Sequence, residues 1–187
     1  MKKELDEQLC SEFPLLYADR HADMRSTCLC WGFSCDDGWY SIIYDLSAKL
    51  EKIITDLPDT GYCECGDKKE CHVDGWMSCE AIVENTKWQK PGQVCRCVCQ
   101  SYRPNKVKAS QVKEKFGVLR FYMTGYNDEI EQAIEQAKEL SATTCEKCGN
   151  PGQLRDTGWL FTLCDECFEK RQQERNLIIN QPLVKLE

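Results

Sequence analysis

A chain of 187 residues, 42% of them hydrophobic, has room for one ordinary domain or two small ones and is too apolar to be disordered. Acids follow the two N-terminal lysines where a secretory leader needs an apolar run, and no window approaches the roughly 18 uninterrupted apolar residues of a membrane span, so a cytoplasmic protein is expected. Fifteen cysteines, an odd number, in a reducing compartment argue for metal thiolates and against a disulfide framework.

The net charge of −7 hides a local excess of cations. Between Lys87 and Arg120 nine basic residues face a single acid, Glu114, a local +8 that leaves −15 for the remainder. Such a stripe reads either as a phosphate-tracking surface or as a solvated strand face balanced by neighbouring acids. The overall pI of about 5.0 tilts against general nucleic-acid affinity.

In chain order, Leu5, Leu9 and Phe13 recur at helical spacing and predict a short amphipathic helix ending before Pro14. Cys10 on this helix reads as a core cysteine. An aromatic-rich stretch, TCLCWGFSCDDGW, then closes in an Asp-Gly turn signal. Cys28, Cys30 and Cys35, with His21 as a fourth candidate ligand, form a group in which Trp31 and Phe33 are interleaved; small core residues explain it better than a metal site. The clearest helix follows. Trp39, Ile42, Ile43, Leu46, Leu50, Ile53, Ile54 and Leu57 keep the helical period, Asp45, Lys49, Glu51 and Lys52 face away, and Pro58 ends it.

Residues 58–105 change character, with seven cysteines, His72 and few aliphatic residues, and cannot offset their ordering entropy by apolar burial alone. From Val107 strand-like sequence returns, with Gly117 expected in a turn or bulge. Asn127 is placed to cap a helix with an acidic first turn and Ile130, Ile134, Ala137 and Leu140 on one face. A charged helix is expected near 164–176, before an apolar tail broken by Pro182. The DGW of 37–39 and 74–76 and the TGW of 157–159 have unrelated flanks and reflect recurrent turn chemistry, not a repeat.

The metal prediction is most direct at the C-terminal end. Cys145-x2-Cys148 and Cys164-x2-Cys167, fifteen residues apart, have the spacing of a two-knuckle zinc site: each turn converges two thiolates on one ion about 2.3 Å away. Gly149 and Gly152 suit the turn after the first knuckle, and DTG at 156–158 suits a hairpin into WLFTL. Four thiolates leave no open coordination position, so the expected zinc is structural. In the 58–105 segment, Cys63, Cys65, Cys71, His72, Cys79, Cys95, Cys97 and Cys99 make eight candidate ligands, enough for two four-coordinate ions or a thiolate-bridged cluster. The other readings of that segment are a disordered insertion and partly buried thiols.

Catalytic signals are lacking. Both histidines have competing explanations, the paired acids at Asp36-Asp37 and Asp128-Glu129 read as a turn and a helix first turn, and no glycine-rich phosphate loop, G-x-S-x-G or H-E-x-x-H occurs. A non-enzyme is expected.

Three blocks together, TCLCWGFSCDDGWYSIIYDLSAKLE (27–51), SQVKEKFGVLRFYMTG (110–125) and TCEKCGNPGQLRDTGWLFTLCDEC (144–167), resemble a family of small zinc-binding proteins carried by bacteriophages and prophages. In that family a Gly-Trp helix, a VKEKFG-x-LRFY segment and a C-terminal four-cysteine motif recur in this order, without an assigned activity. The resemblance implies the metal role for Cys145, Cys148, Cys164 and Cys167 and supplies no catalytic residues. The cysteine-rich segment departs from the family pattern, in which a shorter linker joins helix to strand.

The expectation is therefore an α+β fold: a small sheet with packed helices, a C-terminal zinc ribbon and a metal-stapled insertion. Its parts are a helical region at 1–57, the cysteine-rich insertion at 58–105, strands and a helix at 106–142, the ribbon with its following helix at 143–176, and a tail at 177–187. The expected role is that of a phage accessory protein in the cytoplasm of a bacterial host, binding a host protein such as a defence or transcription component. Trp76, Trp88, Arg96, Arg103, Lys106 and Lys108 are the candidate contacts, the tryptophans alternatively packing on a metal knuckle. One rival is a nucleic-acid regulator using the 87–120 stripe, with Tyr102, Phe116, Phe121 and Tyr122 as stacking candidates. A second is a thiol-redox or metal-storage protein.

Overall fold

The computed structural model describes residues 1–25, 27–57, 80–82, 94–96 and 107–179. Contacts divide the chain into one unit made of Met1–Thr55 with Val107–Glu187 and another made of Asp56–Lys106. The fold is α+β.

In the first unit, helix α1 (Lys3–Glu12) buries Leu9 and leads into Phe13, Leu16 and Tyr17, all in the core. Cys10 sits at the rim, where its thiol donates to Asp6 Oδ1 at 3.6 Å. Burial, then the Asp6 charge, push it up to about 12, so it stays a protonated packing residue. Two 3-10 turns, Cys28–Trp31 and Asp37–Trp39, precede helix α2 (Tyr40–Asp56). The α2 stripe of Ile42, Ile43, Leu46, Leu50 and Ile54 is buried as its period requires. Ser47 interrupts it at no cost in unpaired groups: its hydroxyl donates to Ile43 O at 2.6 Å and meets Tyr17 Oη at 2.5 Å. Glu51, expected to face solvent, instead turns inward, and its carboxylate accepts the Leu15 and Leu16 backbone N–H groups at 2.9 and 2.7 Å. Those donors lie in a turn that offers no backbone partner, which is what draws the carboxylate in.

Strands β3 (Ala109–Lys115) and β4 (Val118–Met123) form an antiparallel hairpin, numbered after the two strands of the second unit. The turn is Phe116-Gly117, with φ of 58° and 78°, the doubly left-handed geometry of a type I′ turn. Gly117 is thus a turn residue, and the bulge lies between Ala109 and Gln111. Val112, Leu119, Phe121 and Met123 face the core, so Phe121 is unavailable for stacking. Residue 34 extends the edge of β3: Ser34 N–H donates to Val112 O and Glu114 N–H to Ser34 O.

Helix α3 (Asp128–Ser141) packs on β4. Asn127 caps it, its side chain accepting from Ile130 N–H at 2.8 Å. Ile130, Ala133 and Ala137 are buried, but Leu140 is 57% exposed and Ser141 takes the inner place. The reason is polar: Ser141 Oγ accepts the Leu119 N–H at 2.9 Å and donates to Lys138 O, satisfying a strand donor that leucine could not. Strands β5 (Gln153–Asp156) and β6 (Leu160–Leu163) form a second hairpin, followed by helix α4 (Asp165–Ile179).

In the second unit, β1 (Glu80–Ile82) and β2 (Val94–Arg96) pair antiparallel, Glu80 opposite Arg96 and Ile82 opposite Val94. For Cys95 and Arg96 the description stops at this backbone. Cys63, Cys65, Cys71, His72, Cys79, Cys97, Cys99, Trp76, Trp88, Arg103 and Lys106 lie outside the described residues. Among the described residues, no helix is long and apolar enough to cross a membrane.

Candidate metal centre

The four C-terminal cysteines converge because three local structures follow one another. Cys145–Cys148 is a tight turn closed by Gly149 N–H donating to Cys145 O at 2.9 Å, with Gly149 at φ +80° where a side chain would be strained. The chain folds back on itself through Cys145 N–H to Asn150 O at 2.7 Å and Gly152 N–H to Thr143 O at 2.8 Å. The β5–β6 hairpin then returns it to Cys164. Its turn is set by Gly158 at φ +85° and by Asp156 Oδ1 accepting the Gly158 N–H at 3.0 Å. The second pair differs from the expected second knuckle. Phe168 N–H donates to Cys164 O at 3.0 Å, placing Cys167 in the first turn of α4, so a knuckle and a helix head hold the site from two sides.

The ligand atoms of Cys145, Cys148, Cys164 and Cys167 all lie within 4.8 Å of one another, and the Cys148 and Cys164 sulfurs are 3.7 Å apart. A tetrahedron of sulfurs each about 2.3 Å from a central ion has edges of about 3.8 Å. No two of these cysteines are joined in a disulfide. The residues present therefore fit one four-coordinate ion.

Electrostatics point the same way. Burial pushes the Cys145 thiol up, but backbone N–H groups of Cys164, Cys148 and Lys147 outweigh it and hold the group down at about 7. Cys167 is driven well above the usual thiol range, first by burial and then by hydrogen bonding to Cys164, Cys148 and Cys145. One thiolate is favoured and a further one opposed, since sulfurs this close cannot all carry negative charge without a cation among them. Arg155 braces the rim, its guanidinium ion-paired with Asp165 and 4.8 Å from the Phe168 ring centroid.

The first knuckle is also the point at which the centre joins the core. Gly38 N–H donates to Glu146 O at 2.7 Å, and Trp39, fully buried, donates its indole N–H to Thr144 O at 2.8 Å. A Cβ on Gly38 would lie 2.3 Å from Cys145 O and 2.5 Å from both Glu146 O and Gly149 N. Only a glycine lets the turn before α2 approach the knuckle this closely. Glu146, between the two ligands of the knuckle, is buried and accepts the Asp36 N–H at 3.1 Å. Burial is the leading cause that raises its carboxyl to about 7. From the other side, the buried Thr162 hydroxyl of β6 donates to Gly117 O at 2.5 Å. The three sequence blocks at 27–51, 110–125 and 144–167 thus meet at one place.

Of the other candidates, Lys108 is only 13% exposed and its ammonium binds Asp19 Oδ1 at 3.0 Å, which takes it out of the free basic stripe. The Cys28, Cys30, Cys35 and His21 group disperses. Cys35 is in the core, with burial lifting its thiol to about 12, and Cys30 donates to Thr27 O at 3.1 Å. Cys28, His21 and Trp31 are exposed. Among the described residues, the four C-terminal cysteines form the one cluster able to hold a metal ion. Sequence reasoning misses the docking of Gly38 and Trp39 on the knuckle, although a DGW turn beside a four-cysteine motif is its visible trace. No protein-family model, curated protein or solved structure matches the chain.

Proposed function

We propose that this chain is a non-enzymatic recognition module stapled by a structural zinc ion, a phage or prophage accessory protein that binds a host macromolecule and modulates it, for example a defence or transcription component. The observation that carries the reading is the four-sulfur cluster, whose 3.7 Å Cys148–Cys164 separation suits zinc–thiolate geometry. Four protein ligands leave no position for a substrate or an activated water, which favours a structural role over a catalytic one. The accessory role is supported by the resemblance of three blocks to phage-borne proteins, blocks that here pack on one another around the cysteines.

Metal analysis of protein purified from a bacterial host, alongside a Cys164→Ser/Cys167→Ser variant, tests the central claim. The expected result is loss of one zinc equivalent together with the cooperative melt of the first unit. A variant that melts as sharply as the parent would remove the structural role. A thiol-redox role makes the opposite forecast, rapid reaction of these cysteines with a thiol reagent while metal is bound.

A further inference from the structure

The tips of the two hairpins lie side by side, and what they expose is a set of rings and unpaired cations. Phe116, in the β3–β4 turn, is 64% exposed, and Trp159, in the β5–β6 turn, is 67% exposed. A groove of about 440 Å³ lined by Lys115, Phe116, Trp159 and Leu160 runs between them. A second, of about 690 Å³, opens on the other flank of Trp159 and is bordered by Phe161, Arg171 and Arg175. Trp159 is the ridge between the two. Strand register adds to this surface, because directly opposite residues share a face: Lys113 stands across from Arg120 and Tyr122 across from Gln111, with Lys115 one step along.

None of Lys113, Lys115, Arg120, Arg171 and Arg175 has an ion-pair partner among the described residues. Three of them lie over rings instead: Lys113 5.5 Å from the Tyr122 centroid, Lys115 5.2 Å from Phe116 and Arg171 3.9 Å from Phe161. Glu114 and Glu174 also border the grooves, but Glu114 is engaged by the Gly117 N–H at 2.6 Å. Two features here work against folding. Lys113 and Arg120 repel across the ladder, and Phe116 adopts φ 58°, where asparagine or glycine is at ease and a bulky ring is not. Both occur at solvent-facing positions that core packing does not dictate, and a ligand carrying negative charge and flat rings would compensate both.

We infer that this face binds single-stranded nucleic acid, with phosphates along the Lys113, Lys115, Arg120, Arg171 and Arg175 cations and bases stacked on Phe116 and Trp159. The inference rests on the recognition-module reading and names its partner. Charge complementarity calls for an anion. The exposed rings set between cations call for one with planar faces, which a duplex keeps stacked inside and a run of acidic side chains lacks. The acidic remainder of the chain confines attraction to this patch, so binding is local and salt-sensitive.

The test is fluorescence anisotropy of the zinc-loaded full chain with a labelled mixed-sequence single strand of about 12 nucleotides, at about 50 and 200 mM salt. The same-length duplex and polyglutamate serve as competitors. The single strand is expected to bind in preference to both and to weaken at the higher salt. Trp159→Ala should weaken binding about five- to hundredfold with an unchanged salt slope, and Arg171→Gln with Arg175→Gln should lower that slope by about 0.7 for each phosphate left without its cation. Phe116→Asn suits the left-handed turn, so it should weaken binding while the melting temperature stays level or rises, which separates the ring's role from a folding role. The inference is overturned by no binding at low salt, by a duplex that binds as well as the strand, by polyglutamate competing equally, which points to an acidic protein partner, or by a Trp159→Ala protein that binds normally. Any of these results with protein that still holds zinc and melts cooperatively leaves the metal-stapled reading standing, whereas metal-free, folded protein overturns that reading instead.

Discussion

Gly38→Ala isolates the contact that joins the metal centre to the core. The added methyl would sit 2.3 Å from Cys145 O and 2.5 Å from Glu146 O and Gly149 N, roughly 1 Å inside an ordinary contact. All three atoms are backbone, so no side chain can swing aside. Relief requires the Asp37–Trp39 turn to lift off the knuckle, stretching the Gly38-to-Glu146 and Trp39-to-Thr144 hydrogen bonds of 2.7 and 2.8 Å. At about 1 kcal/mol for each bond and a similar amount for loosening the Trp39 ring, the substitution should cost about 3 kcal/mol. Gly38 has no left-handed φ, so none of this is backbone strain. Gly158→Ala provides the contrast: φ is +85° and nothing lies within 4 Å of the new atom, so its cost is the left-handed penalty alone, about 1 kcal/mol. Urea unfolding of both zinc-loaded variants, followed by tryptophan fluorescence, measures the two. If Gly38→Ala loses under about 0.5 kcal/mol, or no more than Gly158→Ala, the knuckle is not seated on the core as described.

Three further outcomes are expected. Chelation of the zinc proposed for the four C-terminal cysteines should cost several kcal/mol and become easier as pH falls, because the thiolates must take up protons to release it; a metal-release titration against pH reads this directly. Glu146, with its carboxyl raised from 4.5 to about 7, holds more proton in the fold than in the unfolded chain between those values, so its contribution to stability falls as pH rises through that window; Glu146→Gln should therefore flatten the pH profile and be about 1–3 kcal/mol more stable at pH 8 by urea melts. Phe116→Asn should raise the hairpin's stability by about 1 kcal/mol, seen as a higher melting temperature, since asparagine tolerates the φ of 58° that phenylalanine resists.

Much of the site could be read from spacing. Two C-x2-C pairs fifteen residues apart carry their geometry locally, because each pair is bridged by a single turn and the intervening length suffices for one hairpin. Spacing alone does not choose between a second knuckle and a helix head for the second pair, since both bring two sulfurs together across two residues; the charged helix expected near 164–176 decides it, and α4 begins at Asp165 with Cys167 in its first turn. The α2 stripe was legible for the same local reason, an uninterrupted period of 3.6. Leu140 was misplaced because the face of α3 has two neighbouring candidates for its last inward position, and the deciding partner, the Leu119 N–H, lies 22 residues away.

The sequence by itself determined what short-range geometry can enforce: the apolar faces of the helices, the Asn127 cap, the glycine turns and the pairing of cysteines that gathers four sulfurs. Tertiary structure alone decided which polar groups are free. Glu51 and Lys108 look like surface charges in the sequence and are engaged in the fold, while Lys113 and Arg120 look no different and stand opposite each other without an ion-pair partner among the described residues. Charge is a property of the residue, but its availability depends on donors and acceptors brought from distant parts of the chain, and only folding sets those distances.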